Sequence, residues 1–477
     1  MTGDERATAQ ADRRWRRVSY GFACVISAVM GYFLLRIPVQ VFDCFSDMMS
    51  LQQSMGSLLA NSFDLPAYFR PGRWVAQKIV FELAGSDYFY AFRLTQALQV
   101  LAVAVLFVRL LEPRTALAAS LVPLALTVLT ASHTFAWTVR EAFPINHFLT
   151  ILLCSMAAAN LVLARPRWSI DVAAAALFVV AAATLESGLL VWVIVAGGYL
   201  IGLRGVSRAG VAVVTILLAA YVVARFVVLD VGMPSLTLRE AGIGFTRYAG
   251  ADLQRMFADN PYPFYAYNVL ASFVGVLLAE PRDGVWSLTH SIVEGRVHPG
   301  LVVNVISSTL ATILVGVFVW RRRRALLERR VDRRDRVVLL FLMVLGTNAA
   351  LSFSYTKDAI MSPAGGLFAA AVYVATLDAI ERVALAPAAV RATAVVLLTV
   401  LSAGWALRLV GIHATLVRTS FEVREQWASI DEYIPRWRDE LSPSELALKR
   451  QLQNEAILYH PEKPLIRDEF ARLFDTD

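Results

Sequence analysis

Charge is scarce in this chain of 477 residues. Only 17% are Asp, Glu, Lys or Arg, against about 25% in an ordinary soluble protein. That shortage, with 57% hydrophobic residues and a mean hydropathy of +0.56, excludes a plain water-soluble domain and points to lipid as solvent. Cysteine is scarcer still, with only Cys24, Cys44 and Cys154. No Cys-x-x-Cys or Cys/His spacing occurs, so neither a disulfide framework nor a zinc site is indicated. Lysine is rare, which makes each one informative. No internal repeat of fixed period is seen. The formal net charge of +7 is not a nucleic-acid signature. Much of the excess sits in RRRRALLERRVDRRDR, nine arginines within 321–336 between two apolar runs. That is the composition of a cytoplasmic loop under the positive-inside rule.

What is present is a series of long apolar runs, such as VSYGFACVISAVMGYFLLRI and GLVVNVISSTLATILVGVFVW. About 20 residues of helix cross a hydrocarbon core, and such spans must be helical because lipid offers the backbone no partners. The first run is too long for a signal-peptide core and has no small-residue cleavage site after it, so residues 1–17 read as a retained cytoplasmic tail. The runs place eleven spans, at about 18–38, 93–111, 115–132, 147–164, 169–185, 187–203, 209–229, 300–320, 337–354, 363–381 and 392–410. The basic N-terminus and the arginine run are then both inside. The loops 41–92 and 230–299 and the C-terminal part 411–477 are outside. The segment 268–279 is too short to cross and reads as an interfacial or re-entrant helix in the second outer loop. The expected fold is an all-α polytopic membrane protein in the plasma (inner) membrane. Its transmembrane domain covers 18–410 and a helical tail follows, with a capping box, SPSE, at Ser442 to Glu445.

The first outer loop carries apolar periodicity of its own. Met48, Leu51, Met55, Leu58 and Leu59 share one helical face. So do Val75, Ala76, Ile79, Val80 and Leu83, with Arg73, Gln77, Lys78 and Glu82 opposite. Two amphipathic helices lying at the interface would wall a shallow cavity. Asp43 and Asp47 stand four apart in VFDCFSDMMS, one helical turn. Arg70, Arg73, Arg140, Glu141, Glu186 and Lys357 are expected at the same level. Carboxylates facing cations at one membrane surface suit a substrate with a hydroxyl to activate and a phosphate to hold. Each arginine is equally readable as an interfacial anchor. The aromatics Tyr68, Phe69, Trp74, Tyr88 and Tyr90 read either as an interfacial belt or as a stacking surface for sugar or isoprenoid.

The order of these features resembles the GT-C class of membrane glycosyltransferases, protein O-mannosyltransferases and related bacterial enzymes among them. The features are VFDCFSD after the first span, YFRPGRW and DYFYAFRLTQ in the first loop, LESGLLVWVI, YNVLASFVGVLLAEPRDGVW, and SYTKDAIMSPAGG before a late span. The resemblance covers about 20–380. It implies a polyprenyl-phosphate-linked sugar as donor, transfer with inversion to a glycan, lipid or protein acceptor on the outer face, and Asp43 as general base with Asp47 second. Arg70, Arg73, Arg140, Glu141, Glu186 and Lys357 would then bind substrate. No cofactor is assigned. A divalent metal is compatible with the class, although Asp43 is followed by Cys44 where many relatives carry adjacent carboxylates, and Lys357 by Asp358. A polysaccharide ligase or polymerase, or a transporter or flippase of lipid-linked sugars, stays open as an alternative.

Overall fold

The computed structural model describes residues 3–36, 42–64, 69–85, 88–140, 147–232, 235–238, 240–428, 430–433 and 441–458. It is helical almost throughout. The first half runs α1 (Gly3–Arg36), α2 (Phe42–Ser50), α3 (Met55–Asp64), α4 (Pro71–Ala84), α5 (Tyr88–Leu111), α6 (Ala116–Ser120), α7 (Val122–Thr130), α8 (His133–Arg140), α9 (His147–Val162), α10 (Trp168–Thr184), α11 (Leu190–Leu200) and α12 (Arg208–Val223). The second half runs α13 (Gly250–Phe257), α14 (Tyr262–Leu278), α15 (Ser287–Val293), α16 (Pro299–Leu327), α17 (Arg333–Leu351), α18 (Ser362–Val383), α19 (Ala388–Ala428), α20 (Ile430–Tyr433) and α21 (Pro443–Leu458). Many starts are written in the sequence. Proline stands in the first turn of α4 and α16, and Ser207 caps α12 by accepting from the Gly210 N–H at 3.1 Å.

Among the described residues, six helical segments are long and apolar enough to cross a membrane: Asp12–Leu35, Tyr90–Leu111, Arg208–Val228, Pro299–Leu327, Asp358–Val383 and Ala388–Leu416. Five more apolar helices are shorter: Ala116–Thr130, His147–Val162, Trp168–Thr184, Glu186–Leu200 and Tyr262–Leu278. The eleven expected spans are therefore not all of crossing length. The stretch read as 115–132 is broken at Leu121, where Pro123 limits the next turn. Conversely, the segment read as 268–279 is a 17-residue helix starting at Tyr262, because Tyr262–Tyr267 continue its apolar pattern. A small antiparallel hairpin, Ala241–Ile243 with Thr246–Tyr248, lies in the second long loop and was not expected from the sequence.

α18 is the axis of the bundle, with 94% of its most apolar window buried. Its small residues allow this. A Cβ on Gly366 would meet Leu152 and Met156 at 3.0 Å, so α9 packs directly on the α18 backbone. The outer helices show the reverse. Only 11% of the apolar window of Arg208–Val228 is buried, and Ile216, Val223, Val227 and Val228 all point outward. A continuous apolar exterior around a packed interior marks a protein embedded in a membrane.

The connections sort to two ends. At one end Arg322 chelates Asp335 (2.6 and 2.8 Å), Arg334 chelates Glu381 (2.6 and 2.8 Å), and Arg16 meets Glu112 at 2.9 Å. This is the arginine end. At the other lie α2–α4, α8, the Glu186 turn, the hairpin loop and residues 352–361. The last helices also sit there. Trp427, Ile430, Leu448, Leu452 and Ala456 form one apolar cluster with Phe45, Met48, Met49, Leu51, Leu58 and Phe92 of the first loop. The capping box is present: Ser442 Oγ accepts from the Glu445 N–H at 3.3 Å, and Glu445 Oε2 accepts from the Ser442 N–H at 2.9 Å.

Candidate functional site

The first loop is more broken than its periodicity suggests. Apolar spacing continues from Met48 to Leu59, but residues 51–54 turn between α2 and α3. Met48, Leu51 and Leu58 still reach one buried cluster. In α4 burial cuts across both faces. Gln77 and Lys78 are buried and Trp74, Ala76, Val80 and Phe81 pack on that cluster, whereas Ile79, Glu82 and Leu83 are exposed. A helix that buries polar side chains while exposing Ile79 and Leu83 suits a bilayer rim over a polar site. Lys78 Nζ donates to the carbonyl of Leu51 at 2.7 Å, tying α4 to the turn after α2.

The first group of candidates gathers around α4. Arg73 pairs with Asp47, and Gln77 Nε2 donates to the same carboxylate oxygen at 3.3 Å. Asp47 is 8% exposed, so its charge is held by these partners rather than by water. Arg70, at the start of α4, donates to Glu186 Oε2 at 3.0 Å. Glu186 Oε1 accepts from Arg225 at 2.9 Å, and Arg225 also donates to the Tyr221 hydroxyl at 3.1 Å. The carboxylate of Glu186 thus bridges the first loop to the far end of α12.

Local backbone explains both partners. α10 stops at Thr184, Leu185 is extended, and the chain re-enters through the tight turn Glu186–Leu189. A Cβ on Gly188 would lie 2.2 Å from the Ala181 backbone, so this doubling back needs glycine. Arg225 lies in a π-helical turn, Ala224–Val228, that continues α12. Such widened turns re-aim side chains and recur at functional sites.

Lys357 joins from the opposite side. It is extended just before the short helix Asp358–Met361, with Nζ 5.0 Å from the centre of the Phe148 ring. The charges of Arg73, Arg70 and Lys357 all act on the imidazole of His147, the first residue of α9. The next residue, Asp358, faces the second long loop. Its Oδ1 accepts from the Asp283 N–H at 3.3 Å, and the Asp358 N–H donates to Asp283 Oδ1 at 3.1 Å. His133 Nε2 lies 3.7 Å from Asp358 Oδ1. The residue that departs from the class pattern is therefore an anchor for the hairpin loop.

Of the residues named from sequence, the structure gathers Asp47, Arg70, Arg73, Glu186 and Lys357 at one end. Asp43 lies on the backbone of α2 and Arg140 on the last turn of α8, with side chains outside the described residues. Glu141 and Tyr68 fall outside them altogether, as does the Tyr88 side chain. Among the described aromatics, Trp74 packs on the cap cluster and Tyr90 is 64% exposed, facing outward as a belt residue does. Gln77, His147, Tyr221 and Arg225 were not anticipated. The signal for Arg225 was in plain view, an arginine inside the apolar run YVVARFVVL.

The described residues do not fit a metal centre. They contain no group of three or more His, Cys, Asp or Glu side chains able to hold an ion, and arginines already occupy both Asp47 and Glu186. No family profile matches the chain, and no characterised protein or solved structure matches it significantly. By its fold it is a helical membrane protein with a polar, ion-paired cluster at one end of the bundle.

Proposed function

We propose that the chain is a membrane glycosyltransferase of the GT-C kind with eleven crossings, the arginine end in the cytoplasm and the Glu186 cluster on the outer face of the plasma membrane. It moves a sugar from a polyprenyl-phosphate donor to an acceptor hydroxyl. The supporting observation is the convergence of Arg70 and Arg73 from the loop, Arg225 from α12 and Lys357 from the segment before α18 on one rim of the bundle. Cations from three separate elements, beside a helix that exposes Ile79 and Leu83, suit an anionic headgroup whose tail stays in lipid.

In this reading Asp43 takes the proton of the acceptor hydroxyl. The oxygen attacks the anomeric carbon, its bond to the phosphate oxygen breaks on the opposite face, and polyprenyl phosphate leaves. The configuration inverts. Negative charge grows on the leaving phosphate, where fixed guanidinium groups and the Lys357 ammonium stabilise it more than in the ground state. Arginine suits bidentate contact with phosphate oxygens. Asp47, held by Arg73 and Gln77, keeps Arg73 aimed rather than abstracting a proton. Glu186 does the same for Arg70 and Arg225.

The test is incubation of the purified protein with a panel of polyprenyl-phosphate sugars, reading released polyprenyl phosphate. Wild type releases it with one donor class and Asp43→Asn does not, while its unfolding temperature is unchanged. Undiminished turnover in that variant rules out Asp43 as the base. Absence of release with every donor rejects the glycosyltransferase reading.

A further inference from the structure

A cavity of about 150 Å³ opens at the arginine end, far from the cluster above. The 16 residues of α9 alone, about 24 Å of helix, separate His147 from the cavity wall at Leu163. Its polar lining is Arg16, Tyr20, Arg109, Glu112, Asn160 and Arg333, contributed by α1, α5, α9 and α17 and the residue after α5. Val108, Pro113 and Leu163 make its apolar wall.

Two lining arginines face one carboxylate in this hollow. Glu112 accepts from Arg16 at 2.9 Å and pairs with Arg333, and it also accepts from Arg114, which does not line the cavity, at 2.7 Å. Glu112 adopts a left-handed backbone (φ 51°), unusual for this residue type. Arg333 also donates to the carbonyl of Leu110 at 3.0 Å. Arg109 has no hydrogen-bond or ion-pair partner among the described residues, and neither does the Tyr20 hydroxyl. The hollow therefore carries more positive than negative charge and keeps two donors unused. Like-charged guanidinium groups brought together around free space, beside an apolar wall at the end of membrane helices, suit a phosphate group.

We propose that this cavity binds a phosphate-bearing anion, with the headgroup of an anionic phospholipid as its occupant in the membrane. Arg109 and Tyr20 donate to the phosphate oxygens, and Arg16 and Arg333 share their charge between it and Glu112. The site stands independently of the glycosyltransferase reading.

The experiment uses the full-length protein in a nonionic detergent. Native mass spectrometry and thermal unfolding are followed while phosphatidylglycerol, phosphatidylcholine or inorganic phosphate is added. Phosphatidylglycerol binds and raises the unfolding temperature, and phosphatidylcholine does not. Arg109→Gln weakens phosphatidylglycerol about tenfold, the scale of one charge-assisted contact, and Tyr20→Phe weakens it a few-fold. Arg324→Gln, at the same end but outside the cavity, leaves it unchanged. Inorganic phosphate matching the lipid, with the same dependence on Arg109, supports the phosphate site and assigns it to a free ion. Wild-type affinity in both Arg109→Gln and Tyr20→Phe overturns the proposal. So does an equal loss in Arg324→Gln, which would make the binding a general property of the basic surface.

Discussion

Arg70 and Glu186 lie 116 positions apart in sequence and meet at 3.0 Å. With Arg225 on the other carboxylate oxygen at 2.9 Å, this contact fastens α4 to the turn after α10 and to the end of α12. The first loop is thereby part of the bundle rather than a strap across it.

Glu186→Gln removes the charge that both arginines share. Arg70 and Arg225 are mostly buried, with side chains 13% and 9% exposed, while Glu186 keeps 34% contact with its surroundings. The loss is therefore discounted from the full cost of stranding a buried charge, to roughly 1–3 kcal/mol. Thermal unfolding in detergent measures it. A stability equal to wild type would show that the two arginines find other partners.

Lys78→Met keeps the length of the side chain and deletes its ammonium. The carbonyl of Leu51 then loses its donor in a buried turn. The expected cost is about 1–2 kcal/mol, and hydrogen exchange should quicken in residues 48–58 before the bundle is affected. Uniform protection across both regions would contradict a local role.

Asp335 closes a capping box with Asp332 at the start of α17 and is chelated by Arg322. Burial opposes its ionisation, but hydrogen bonds from Arg322 and from the Asp332 backbone outweigh that and hold its carboxyl below the usual range. Its folded pKa is thus lower than its unfolded one. The stability it adds is complete above the unfolded value, near 3.9, and disappears as pH falls through the folded value. Asp335→Ala should cost roughly 2–4 kcal/mol at neutral pH. Unfolding curves at pH 7 and pH 3 should converge for wild type and variant; a constant gap would refute the linkage.

Glu280 behaves oppositely. Burial pushes its carboxyl up, and among the described residues only one of its oxygens is satisfied, by the Leu288 N–H at 3.0 Å. A raised folded pKa means the fold penalises the ionised form, so the penalty appears as pH rises past the unfolded value, near 4.3. Glu280→Gln retains the acceptor and should gain on the order of 1 kcal/mol at neutral pH, with no gain below pH 4. A loss at neutral pH would mean the charge is needed where it stands.

The sequence made the helices legible because lipid forces long apolar runs into one conformation. Over their described residues the apolar runs read as spans are mostly helical, with a break at Leu121, and following the chain through them put Asp47, Arg70, Arg73, Glu186 and Lys357 at one expected level. Crossing length was harder to read, since hydropathy does not show where Pro123 or the Glu186 turn interrupts a helix. Arg225 was visible as an arginine, but its place in the site was not. It sits inside an apolar run and reaches the site only because a π-helical turn redirects it. His147 looked like the first residue of a span, and nothing in the apolar run after it announced the charges of Arg73, Arg70 and Lys357 that act on it. The hairpin at 241–248 is too short for alternation to announce it.

The 41 residues of α19 form one uninterrupted rod. It starts beside the arginine end, and Trp427 in its last turn touches Phe45 edge-on with ring centres 5.1 Å apart. A deletion after the last apolar run would therefore unroof α2, the helix that carries Asp43 and Asp47, and leave greasy side chains bare. A shortened version ending near 410 is therefore a poor choice for crystallisation or assay.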